Sequence, residues 1–292
     1  MTGLAPIDGL VLLAIVAKAI GYGAALLAMG SVLFIIFFAK RAEPPVLKLA
    51  QRVAVGAAIV GLAVLALRFG IRAARISGMG FEGATDPMML GFVWQSPLGS
   101  SAIWFGFGAL LILVVLVPYI GRWLALVGSF AVAISFTQVG HTLGDPRTVL
   151  AGLLVVHLLA AAFWVAALLP LRKAALTDAG ADLLHKFGNV AVYFVVALFI
   201  AGIGLTWQLS GSLSAMVGTA YGVGLLMKIL AVSALLSIAA LNKLRLVPAL
   251  RDRNPGATIA LRRSISIEIL AVVVILLATA TVTTVTTPPI NL

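Results

Sequence analysis

The sequence has no cysteine, so disulfides and thiolate metal sites are excluded whatever compartment its loops face. Histidine is scarce, with three residues, and acidic side chains number 9 against 20 Lys and Arg. It contains no phosphate-cradling Gly loop with a Lys, no nucleophile elbow and no His-Glu-x-x-His. An ATP-driven pump is therefore unsupported. Charge of any kind is thin: 10% of the 292 residues are charged, whereas 62% are hydrophobic.

What is present is a series of continuous apolar runs near the length that crosses a bilayer. The runs show no strict alternation, so helices are expected rather than a barrel. The predicted fold is all-α, a polytopic membrane helical bundle of about eight transmembrane helices. The spans run about Asp8–Ala39, Gln51–Ile71, Leu98–Val117, Trp123–His141, Val149–Leu169, Phe187–Leu209, Tyr221–Leu241 and Ala260–Val285. The first has no basic n-region and no small-residue cleavage site, and it is too long for a signal h-region. A retained helix is expected there. No repeat or appended soluble domain is evident, so residues 1–292 read as a single transmembrane domain.

The formal charge is +11. With this hydropathy it points to loops on one side of a membrane, not to nucleic acid. One set of connections carries fourteen Lys and Arg, from Lys40 in the first loop to Arg263 in the last. The opposite set carries four: Arg68, Arg72, Arg75 and Arg147. Both termini should face outward, which in a two-membrane bacterium means the periplasm. The trio Arg68, Arg72 and Arg75 lies against this bias.

The histidines stand out. His141 closes the predicted fourth span and His157 lies inside the fifth, with the turn Gly144-Asp145-Pro146-Arg147 between them. An imidazole within a span is a functional-site candidate by default. Without cysteine, soft-metal binding falls to imidazole, thioether and carboxylate, and thioethers suit Cu(I). Met79, Met88 and Met89 lie in the longest outer connection, Ser77–Pro97, where core filler is least needed. Three charges fall within spans: Lys18, Lys228 and Glu268. Unpaired, each costs several kcal/mol, so Glu268 is expected to pair with Lys228 on the preceding span.

Four stretches carry a family resemblance: His157-Leu-Leu-Ala-Ala-Ala-Phe-Trp164 onward to Pro170, Gly218-Thr-Ala-Tyr221 onward to Lys228, Leu241-Asn242-Lys-Leu-Arg245-Leu-Val-Pro248, and Leu261-Arg-Arg-Ser-Ile-Ser-Ile-Glu268. In these the chain resembles the copper resistance protein D (CopD) family of bacterial inner-membrane proteins, most strongly over residues 134–287. The resemblance implies copper homeostasis, with copper ion for substrate rather than cofactor, and the thioethers point to Cu(I). It implies passage from the periplasm towards the cytoplasm, beside a periplasmic copper-binding protein of the CopC type. Neither enzymatic activity nor a nucleotide is expected. The residues expected to handle the metal are His141, His157, Met79, Met88 and Met89. The alternative is a b-haem electron-transfer protein of the membrane, because haem iron takes axial histidines in helical bundles.

Overall fold

The computed structural model describes residues 8–210 and 220–285. The described residues hold ten helices. They are α1 (Gly9–Phe38), α2 (Pro44–Ser77), α3 (Pro87–Gln95), α4 (Pro97–Leu113), α5 (Gly121–Ser135), α6 (Arg147–Ala174), α7 (Gly180–Ser210), α8 (Ala220–Leu241), α9 (Val247–Arg251) and α10 (Ala257–Val285).

Local chemistry starts these helices where they start. Asp8 caps α1, its side chain accepting from the Val11 amide at 2.7 Å. Pro44 opens α2, where its missing N–H leaves no helical bond unmade. Gly78 closes α2 in the left-handed region, at φ 70°. Asp86 and Ser96 cap α3 and α4, and each is followed by proline.

Among the described residues, seven helical segments are long and apolar enough to span a bilayer. The fourth predicted span is the exception. Its α-helix is 15 residues long, Gly121–Ser135, and it continues as 3₁₀ turns over Phe136–Gln138 and Gly140–Leu143. The expectation of eight spans thus becomes seven long ones and a short α5. The Ser135 and Thr137 hydroxyls donate to the Val132 and Ile134 carbonyls three residues back, offering the backbone an alternative to the helical ladder. The Ser77–Pro97 connection is also not an open loop. A 3₁₀ turn, Gly80–Thr85, and α3 fold it back on the end of α2, where Trp94 meets Phe69 at 6.1 Å between ring centroids.

α1 is the central helix and touches α2, α5, α6 and α10. Its crossing with α6 is tight: a Cβ at Gly30 would overlap the Ala162 carbonyl. Phe163 stacks on Phe194 at 3.8 Å between centroids and 6° between planes. Phe37 and Phe38 meet the same ring from α1, so α1, α6 and α7 share an aromatic core. α7 packs along α6 and α8 along α10, whereas α7 and α8 touch each other marginally at most. That splay leaves a cleft whose walls come from α6, α7, α8 and α10.

Candidate metal path

The cleft holds a cavity of about 370 Å³. Its sides are apolar, lined by residues such as Phe187, Val195 and Phe199 of α7 and Leu236 of α8. Its polar end gathers Trp164, Asn242, Lys243 and Glu268. Glu268, on α10, is 3% exposed. It accepts from Trp164 Nε1 at 3.4 Å and from the Asn242 side-chain amide.

Asn242 reaches it because α8 gives way there to a π-helical turn, Asn242–Leu246. Pro248 follows and lacks the N–H that a continued helix needs. The wide turn sends Asn242 inward, where it is 8% exposed. Its Oδ1 is buried without a hydrogen-bond partner among the described residues. Lys243 donates from Nζ to the Gly188 carbonyl at 2.9 Å and closes this end of the cleft.

The expected Glu268–Lys228 pair is not found among the described residues. Lys228 lies fourteen residues before Asn242, about 21 Å along the helix. A lysine side chain cannot cover that distance. Lys228 instead lies within electrostatic range of His157, from α8. Lys18 has a different partner again. Its Nζ donates to the Thr283 carbonyl at 2.8 Å and to Thr284 Oγ1 at 3.4 Å, at the carbonyl end of α10. That is the favourable place for a cation on a helix.

His157 projects from α6 towards α7. Its ring lies against Gly202, and the imidazole donates to the Leu198 backbone carbonyl. A Cβ at Gly202 would stand 3.4 Å from His157 Cε1, so a larger residue would crowd the ring. His157 Nδ1 is buried and makes no hydrogen bond among the described residues. Trp164 follows seven residues later on the same helix face, about 10 Å further along the bundle. His157 and Trp164 thus share a face of α6, and Trp164 joins that face to Glu268; the cleft itself is lined from Trp164 inward and His157 lies above it. His141 falls in the 3₁₀ turn Gly140–Leu143, and its side chain lies outside the described residues. His157 is ten residues into α6 from Arg147, about 15 Å below the start of that helix.

The three methionines belong to the folded-back connection. Met79 precedes its 3₁₀ turn, and Met88 and Met89 open α3. Met79 and Met88 are exposed and Met89 is half-buried. No group of three or more His, Asp or Glu suited to a metal ion occurs among the described residues.

Two family models match this sequence. Copper resistance protein D matches residues 181–282, and the copper resistance protein D-like N-terminal domain matches residues 7–146. The chain belongs to the copper resistance protein D family. Copper resistance and homeostasis are thus its setting, and it is a multi-pass membrane protein. The match extends to the N-terminal half, outside the residues 134–287 where the sequence resemblance is strongest. The stretch with His157 and Trp164 lies between the two matched segments. No curated protein and no solved structure matches the chain.

Residue-by-residue reasoning singled out Glu268 but missed Trp164 and Asn242 as its partners. All three residues stand within the stretches that carry the family resemblance, and that was the available signal.

Proposed function

We propose that this copper resistance protein D family member carries copper across the bacterial inner membrane, from the periplasm towards the cytoplasm, along the cleft between α6, α7, α8 and α10. The observation that carries this reading is His157 Nδ1, a buried imidazole nitrogen with no hydrogen-bond partner among the described residues. Buried polar atoms are nearly always paired, and an orphan calls for a bound ion, a water or a working role. A nitrogen that a copper ion can use is such a role.

The proposed route has three stations. Met79, Met88 and Met89 collect Cu(I) at the outer face, since thioethers bind it without giving up a proton. His141, on the turn before α6, receives it. His157 is a separate station about 15 Å deeper, and the carboxylate end of the cleft, at Glu268, attracts the cation onward. Lys228, within electrostatic range of His157, opposes a resident cation there, which favours passage over storage. A periplasmic CopC-type protein is the proposed donor. In this reading the chain moves copper and catalyses no reaction.

The test is a Cu(I) titration of purified protein against a competing chromophoric chelator. His157→Ala should remove one tight equivalent and leave the methionine-dependent one. Unchanged stoichiometry and affinity in that variant would make His157 a packing residue.

A further inference from the structure

A second cavity, of about 270 Å³, lies at the far end of the bundle from Glu268 and shares only α10 with the first. Lys18 of α1 and Arg68, Arg72 and Arg75 of α2 line it, with Leu98 of α4 and the Thr283–Thr284 end of α10. Among the described residues no carboxylate lines it. Arg68, Arg72 and Arg75 form no ion pair and no hydrogen bond among the described residues. They follow one another at helical spacings of four and three, so they share one face of α2. These are also the arginines that break the charge bias of the loops. Four cations gathered around one cavity repel one another, and such a cluster marks a functional site by default.

The depth of the cavity narrows the ligand. Between Arg52 and Arg68, α2 is uninterrupted by charge. That stretch is about 24 Å long, close to the hydrocarbon thickness of a bilayer. Arg68, Arg72 and Arg75 therefore fall at the level where lipid headgroups sit. Guanidinium forks match phosphate oxygens two at a time. Lys18 uses two of its three N–H donors on Thr283 and Thr284 and keeps one for a ligand.

We propose that this cavity binds one phosphate-class anion, held by Arg68, Arg72 and Lys18, with Arg75 at its rim. Two sources present that chemistry: the phosphodiester of an anionic lipid, and free phosphate or a small phosphate ester. The proposal is independent of the copper route.

The experiment uses the full chain in neutral detergent micelles. One arm titrates phosphatidylglycerol and the other inorganic phosphate, with bound equivalents counted by native mass spectrometry. The expected result is one saturable equivalent in one arm. Saturation by the lipid alone assigns the headgroup, and saturation by inorganic phosphate assigns the free anion. Arg68→Gln with Arg72→Gln should weaken that binding by about tenfold or more, because each removes a charge-assisted contact. Lys48→Gln, which removes one charge at the other end of α2, should leave it unchanged. Arg72 is exposed, so Arg72→Gln alone gives a folded variant that should show part of the loss. No saturable equivalent in either arm would overturn the proposal. So would equal weakening by Lys48→Gln, or full binding by the double variant.

Discussion

Glu268 is the buried carboxylate on which the inner half of the cleft depends, and its energetics can be tested directly. It is 3% exposed and has two neutral donors, Asn242 and Trp164. A hydrogen bond to a charged group contributes about 1.5–3 kcal/mol, and an orphaned buried partner costs the same order. Asn242→Leu should therefore destabilise the protein by about 2 kcal/mol, because Glu268 loses its closer donor. Trp164→Phe should cost less, about 0.5–1 kcal/mol, since that bond is long at 3.4 Å. Glu268→Leu added to Asn242→Leu should restore part of the loss, because no carboxylate is then left unpaired. The coupling energy should be about 1–2 kcal/mol. The assay is equilibrium unfolding in mixed micelles, followed by circular dichroism as a denaturing detergent is added. A second cycle provides the contrast: Lys228→Met combined with Glu268→Gln should show no coupling, because the two sites are about 21 Å apart. Additive losses in the first cycle, or strong coupling in the second, would refute this account of the cluster.

Three further outcomes follow from the same structure. Reporter fusions after Gly144 and at the C-terminus should both report the periplasm, as the Lys and Arg distribution requires; a cytoplasmic C-terminus would reverse the route. Gly30→Ala should cost about 2 kcal/mol or more, because the added methyl meets the Ala162 carbonyl, whereas Gly56→Ala, with nothing within 4 Å, should be neutral or stabilising by about 0.5–1 kcal/mol in thermal unfolding. Lys228→Met should tighten Cu(I) binding at His157 by up to about tenfold in the chelator titration, since it removes a nearby positive charge.

The long helices were legible because apolar runs near 20 residues have few other uses. Their ends were less so. α2 runs to Ser77, well past Ile71, because arginines on a helix that leaves the hydrocarbon cost little there. α5 was read too long, because hydropathy does not register hydroxyls that bond back to the chain at Ser135 and Thr137. α3 was missed although Asp86-Pro87 and Ser96-Pro97 are both helix-start signals. Within the site, His157 was legible as an imidazole inside a span. The partner of Glu268 was not. Charge complementarity favoured Lys228, while the fold brings up Trp164 from 104 positions away and turns Asn242 inward through a π-helical step. Periodicity at 3.6 residues does not anticipate that step. The basic cavity was visible in the sequence as an anomaly of charge placement, and only the packing of α1, α2, α4 and α10 gives it a shape.

The most direct test of the copper route is Cu(I) uptake into proteoliposomes, with wild-type protein compared with His157→Ala at equal reconstitution. The account predicts saturable uptake that falls by about tenfold or more in the variant, as expected when a buried ligand worth about 1.4 kcal/mol or more is removed. Uptake by His157→Ala at the wild-type rate would contradict it.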